Sequence, residues 1–179
     1  MKIEFEEMVD IYNPETGEKT GEVITKDSAH KLGIWHSSIH LIIVNEENTK
    51  TLFQQRCAEK KLYPNMWDIA VGGHISAGED DKITVKRELE EELGLNPDDY
   101  KIEFIKKYKE ELNNNGVDSK EFVSVFMICS NIDINTISLQ KEEVSDIKWI
   151  SKEEMNELIK ENKVIPHKEE YNILNDLLK

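Results

Sequence analysis

Cysteine is scarce, with Cys57 and Cys129 the only two in 179 residues, far apart and in no metal-ligand spacing. That usage fits a soluble protein of a reducing cytosol. A membrane span is not expected, because the longest apolar run, Leu41 to Val44, falls far short of the ~18 residues a span needs. The first ten residues, MKIEFEEMVD, lack the apolar core of a signal peptide, so a cytoplasmic location is expected. There is no internal repeat, low-complexity linker or break in composition, and one domain over residues 1–179 is expected. Positive charge is in short supply: 23 Lys and Arg against 37 Asp and Glu, net −14. Such a surface repels a nucleic-acid polymer or an anionic membrane, which leaves a small molecule, carried with a cation, as the expected partner. A homodimer is compatible with the sequence.

What is present reads as a mixed sheet flanked by helices, α/β or α+β in class. Met8–Tyr12 and Glu22–Thr25 read as a hairpin around the turn-rich NPETGEKTG, and Ile39–Val44 and Thr51–Gln55 as a second hairpin. Lys60–Pro64 is a basic loop, and Trp67–Val71 a short strand running into Gly72 and Gly73. Val85, Leu89 and Leu93 recur every four residues and predict a helix over Asp80–Leu93, ended by Gly94. Lys101–Tyr108 and Glu121–Cys129 read as strands separated by NNNG, and Ile147–Ile150 as a strand before a helix starting at Ser151. Residues 167–178 read as a last amphipathic helix.

The chemistry concentrates in GGHISAGEDDKITVKRELEEELGL. On a helix, Glu88 and Glu92 stand at i and i+4 and Glu88 and Glu91 at i and i+3, so one face gathers three carboxylates. Taken alone, the acidic run would be a solvated helix face. With Gly72 and Gly73 allowing close backbone approach, and Arg87 placed to pair with Glu91 or Glu79, it becomes a site for a hard cation, Mg²⁺ or Mn²⁺. Such an ion neutralises a diphosphate and polarises its phosphorus. Val85, Leu89, Leu93 and Leu95 are core residues.

The spacing Gly73, five residues, Glu79, seven residues, Arg87-Glu88-Leu89, one residue, Glu91-Glu92, one residue, Gly94-Leu95 resembles the signature box of the Nudix superfamily at every fixed position, over residues 73–95. The resemblance implies an α/β/α sandwich with a mixed sheet and attack of water on a nucleoside or other organic diphosphate. It further implies metal coordination by Glu91 and Glu92, Glu88 as ligand or base, the Gly72 carbonyl as a further ligand, and Gly73, Glu79 and Arg87 as support. A non-catalytic nucleotide-binding regulatory module is the contrasting reading, and the intact carboxylates argue against it.

Outside the box, DIYN at 10–13 and QQRCAEKKLYPNMWDIAVGGH at 54–74 resemble the branch that includes type I isopentenyl diphosphate isomerase. That likeness implies a diphosphate grip by Arg56 and Lys60 and a metal site of His30, His36, His74 and Glu121, with Glu121 completing catalysis. Read locally, His36 and His40 flank an apolar strand as structural histidines, whereas His74 follows the glycine pair. The departures matter more: the isomerase has a catalytic cysteine where this chain has Gly72, and an acid where it has Ser119. Moving protons on an alkene needs a positioned acid and base, so hydrolysis is expected and isomerisation is not. Trp35, Tyr63 and Trp67 are candidates to stack on a base or to fill core.

Overall fold

The computed structural model describes residues 6–179, so the first half of MKIEFEEMVD lies outside the described residues. β1 (Met8–Tyr12) and β2 (Lys19–Thr25) form a two-stranded ribbon. α1 (Lys26–Leu32) leads into β3 (His36–Val44), β4 (Lys50–Arg56), β5 (Trp67–Ile69) and β6 (Val71–His74). Then come α2 (Asp81–Leu93), β7 (Glu103–Asn114), β8 (Val117–Cys129), β9 (Val144–Ser151), α3 (Lys152–Lys160) and α4 (Lys168–Leu177). The larger sheet runs β5-β4-β3-β8-β7, with β6 added to β3 and β9 to β4. β3 and β8 are parallel from His36 opposite Glu121 to Val44 opposite Cys129, and the other pairings in the sheet are antiparallel. It is therefore a mixed sheet.

The period of two along β3 divides the core. Ile39, Leu41 and Ile43 pack with Val85, Leu89 and Leu93 of α2. Ile42 and Val44 pack with Met155 of α3 and with Tyr171 and Leu174 of α4. Helices thus cover both faces, giving the α/β/α sandwich that the Nudix resemblance implied. Leu89 and Leu93 are fully buried, each contributing roughly 1.5–3 kcal/mol relative to exposure. The face that carries Ile42 turns polar toward the start of β3, where His36, Ser38 and His40 alternate. Glu121 on β8 stands opposite His36, and Glu110 on β7 opposite Glu121. This polar half of the sheet is the floor of a cleft of about 890 Å³.

Several boundaries differ from the sequence reading. α1 was not expected: KDSAHKL has no apolar stripe, and its ends are set by caps, the Thr25 side chain accepting from the Ser28 N–H and Gly33 closing it at φ 63°. Trp67–Val71 is not one strand, because the chain changes partner at Ala70, β5 pairing with β4 and β6 with β3. The NNNG stretch does not separate two short strands. β7 and β8 extend to Asn114 opposite Val117 around Asn115 and Gly116, both at positive φ (53° and 77°), the conformation of a tight two-residue hairpin turn. β2 likewise begins at Lys19, ahead of Glu22. The remaining helix ends agree with the sequence: Asp80 caps α2, Gly94 ends it, and Ser151 and Glu154 form a capping box. Among the described residues, no helix is long and apolar enough to cross a membrane.

Candidate active site

α2 and the loop before it bring the box residues to one wall of the cleft. A Cβ on Gly73 would lie 2.3 Å from Cδ of Glu88, so the Glu88 carboxylate fills the space that any side chain at position 73 would take. Arg87 ties the unit together. Its Nη2 lies 3.1 Å from Oε2 of Glu79, and its Nη1 lies 2.8 Å from Oε1 of Glu88 and 3.2 Å from Oε2 of Glu91. The Thr84 hydroxyl also donates to Glu79 Oε2, at 2.9 Å. Both sequence-expected partners of Arg87 are therefore used at once. Glu92 is buried and accepts from Nε2 of Gln54 at 3.0 Å.

These carboxylates are electrostatically crowded. Burial pushes Glu88 up to about 7 against the pull of Arg87. Burial and the neighbouring Glu88 charge hold Glu92 well above the usual carboxylate range. Among the described residues, the three carboxylates meet one guanidinium and one amide, an arrangement whose ionised form suits a hard divalent cation. Glu91 is half-exposed, and the backbone at Gly72 lies at the same cleft wall.

A second group sits farther along. His30 of α1, His36 of β3, His74 of β6 and Glu121 of β8 bring ligand-type atoms within 4.8 Å of one another. Oε1 of Glu121 lies 3.2 Å from Nε2 of His74, 3.5 Å from that of His36 and 3.6 Å from that of His30. Nδ1 of His36 donates to the Ile34 carbonyl at 2.8 Å, which leaves Nε2 as the nitrogen that faces the cluster. That Nε2 is buried without a hydrogen bond, an orphaned donor atom aimed at its three neighbours. Three imidazoles and a carboxylate form a donor set that fits a divalent metal. Burial alone would raise Glu121, yet His74 and the other two imidazoles hold it well below the usual range. Ser119, where an acid was the alternative, donates its hydroxyl to Glu121.

Arg56 and Lys60 line the same cleft, each with a protein partner: Arg56 Nε donates to the Leu62 carbonyl at 3.1 Å, and Lys60 pairs with Glu143. Of the aromatic candidates only Tyr63 lines the cleft. Trp35 packs on Phe122 with centroids 5.1 Å apart, and Trp67 lies under Lys148. The sequence reading missed the cleft floor at the middle of β3, where His40, Asp68, Glu110 and His167 come together, with Tyr108 and Glu170 behind them. The one available signal was the alternation of His36, Ser38 and His40 in an otherwise apolar strand. His167 had none, because its partners lie 57 and 99 positions away on β7 and β5.

Residues 34–170 match the family description "NUDIX domain". Nudix hydrolase 3 of Arabidopsis thaliana is 37% identical over 143 residues, 78% of this chain but 18% of the plant protein's length. An uncharacterized Nudix hydrolase of Clostridium acetobutylicum is 32% identical over 161 residues, 89% of this chain and 76% of that one. An isopentenyl-diphosphate Delta-isomerase of Haloarcula marismortui is 27% identical, covering 70% of this chain and 66% of its own length. A solved structure from Deinococcus radiodurans shares the fold, with a TM-score of 0.74 at 19% identity over 97% of this chain and 100% of that one.

Proposed function

The chain belongs to the Nudix family, and from that premise we propose that it is a Mg²⁺- or Mn²⁺-dependent pyrophosphohydrolase of the cytosol. Its substrate would be a nucleoside diphosphate derivative or another small organic diphosphate. The observation that carries this reading is the box itself: Glu88, Glu91 and Glu92 gathered around Arg87 and seated against Gly73 in the cleft wall. Glu91, Glu92 and the Gly72 carbonyl would hold the ion, with Glu88 as a further ligand or as the group that takes a proton from the attacking water. When bound, the ion supplies charge neutralisation of the diphosphate and polarisation of the phosphorus. Arg87 keeps the carboxylates in register, and Arg56 and Lys60 offer cations to the phosphates. His30, His36, His74 and Glu121 would hold a second ion beside the first.

The isomerase alternative has support in the histidine cluster and in the isomerase-named relative, but the cleft offers it no thiol. Cys57 is buried with its Sγ 2.8 Å from the Glu142 carbonyl, Cys129 lies exposed at the end of β8, and neither lines the cleft. The test is a screen of nucleoside di- and triphosphates, nucleotide sugars, dinucleotides and thiamine-type diphosphates with Mg²⁺ or Mn²⁺, read as phosphate or nucleotide release. Turnover of at least one diphosphate supports the proposal, and no turnover of any of them with either ion contradicts it.

A further inference from the structure

We propose that the cleft floor holds another metal site, distinct from both groups above, in which His40, His167 and Glu110 take a d-block divalent ion such as Zn²⁺ or Co²⁺. One ligand-type atom from each of the three lies within 4.8 Å of the others. All three line the cleft, and the His40 and His167 rings are 4.3 Å apart, inclined at 60°. A ligating imidazole needs one nitrogen for the ion and an acceptor for the N–H of the other, most often a carboxylate. Both histidines have that acceptor: Glu170 lies 2.6 Å from Nδ1 of His40, and Asp68 lies 3.2 Å from Nε2 of His167. Nε2 of His40 is the nitrogen left for a ligand, whereas Nδ1 of His167 donates to the Glu110 carboxylate at 2.9 Å, and the ion would replace the proton of that bond and be held by both groups.

The surrounding shell is itself held. The Tyr108 hydroxyl bridges Glu110 at 3.0 Å and Glu170 at 2.8 Å, fixing the ligand carboxylate and the outer one together. Two imidazoles and one carboxylate on one side of an ion leave coordination positions open toward the cleft. Nitrogen donors favour a d-block ion over Mg²⁺, which keeps this site apart from the all-oxygen box. His36 and His40 are four residues apart on one face of β3, about 13 Å along the strand. The two histidine groups are thus built on different residues of β3, while their carboxylates Glu110 and Glu121 stand opposite each other on β7 and β8. Between His36 and His40, Ser38 Oγ is buried without a partner. Because Glu110 is on β7, His40 on β3 and His167 at the start of α4, an ion here would also pin α4 to the sheet. It could take an oxygen from the organic end of a bound substrate. The site stands whether or not the chain hydrolyses a diphosphate.

The test uses chelator-stripped full-length protein titrated with Co²⁺ in a His36→Ala/His74→Ala background, which disables the other histidine group. Equilibrium dialysis counts bound ion, and d–d absorption reads nitrogen ligation. The proposal expects one nitrogen-ligated Co²⁺ per chain, bound about tenfold or more weakly after a further His167→Gln or Glu110→Gln. No nitrogen-ligated Co²⁺ in the background, or binding unaffected by either added change, overturns it. If the added substitutions cost the fold, ¹⁵N-histidine NMR of the unaltered chain with Zn²⁺ decides. Shifts at both His40 and His167 support the site, and unmoved signals at either one overturn it.

Discussion

Gly73 and Glu88 share one small volume: a methyl group at position 73 would sit 2.3 Å from the Glu88 carboxyl carbon and 2.5 Å from its Oε1. The missing side chain on β6 is thus what lets the carboxylate from α2 reach the cleft. Gly73→Ala must push Glu88 aside or shift β6. The expected result is a hundredfold or larger loss of kcat, on the scale of about 3 kcal/mol of transition-state stabilisation. Steady-state kinetics beside a thermal melt check it. Wild-type kcat would detach the Gly73–Glu88 contact from function.

Metal, pH and stability are linked through the same carboxylates. The folded Glu88 lies near 7 against an ordinary value of 4.5, and Glu92 is also raised. The folded state therefore binds protons that the unfolded chain has released. This pair's contribution is most favourable below about 4.5 and is lost as pH rises through 7, by on the order of 3 kcal/mol for Glu88. Between pH 5 and pH 8 the metal-free wild type should lose stability relative to Glu88→Gln/Glu92→Gln. Mg²⁺ stabilisation should grow over the same window, because the ion needs the ionised ligands. Glu92→Gln alone should melt at or above wild type in EDTA and respond much less to Mg²⁺. Melts at both pH values, with EDTA and with Mg²⁺, decide; a Glu92→Gln protein destabilised in EDTA yet fully rescued by Mg²⁺ would make Glu92 structural.

The box was legible because its chemistry is local. Glu79, Arg87, Glu88, Glu91 and Glu92 act on one another within one loop and one helix, so their spacing in the chain is their spacing in space. The mixed sheet with flanking helices followed from the period of α2 and the β-branched run in β3, and the α/β/α layering from the resemblance to the Nudix box. The unread parts depend on long-range pairing. His167 finds Glu110 and Asp68 only once the β7–β8 ladder has its register and α4 docks. The β7–β8 extension that carries Glu110 hung on Asn115 and Gly116 forming a tight hairpin turn, which the polar NNNG disguised as a loop.

Arg56 does more than the sequence suggested. Its Nε donates to the Leu62 carbonyl while Nη1 stands 3.9 Å from Asp68, so it also holds the basic loop against β5. Arg56→Ala should raise KM several-fold with a smaller change in kcat, and should cost about 1 kcal/mol of stability through the lost hydrogen bond. Both are measurable on one purified variant. An unchanged KM would leave Arg56 with the loop alone.

Isomerisation should be absent. Gly72 has no proton to give, and neither cysteine lines the cleft. Isopentenyl diphosphate incubated with the protein and a divalent metal in D₂O should take up no deuterium by mass spectrometry or NMR. Protein-dependent uptake would restore the isomerase reading.

The most direct measurement of the central claim is the turnover of the diphosphate identified by the screen, with saturating Mg²⁺ or Mn²⁺, by wild type, Glu91→Gln and Glu92→Gln. Each substitution keeps the side chain's shape while removing a charge from the proposed ion. The account predicts that each variant folds and loses activity a hundredfold or more, about 3 kcal/mol at the transition state. Wild-type turnover in either variant would take that carboxylate out of the mechanism and contradict the account.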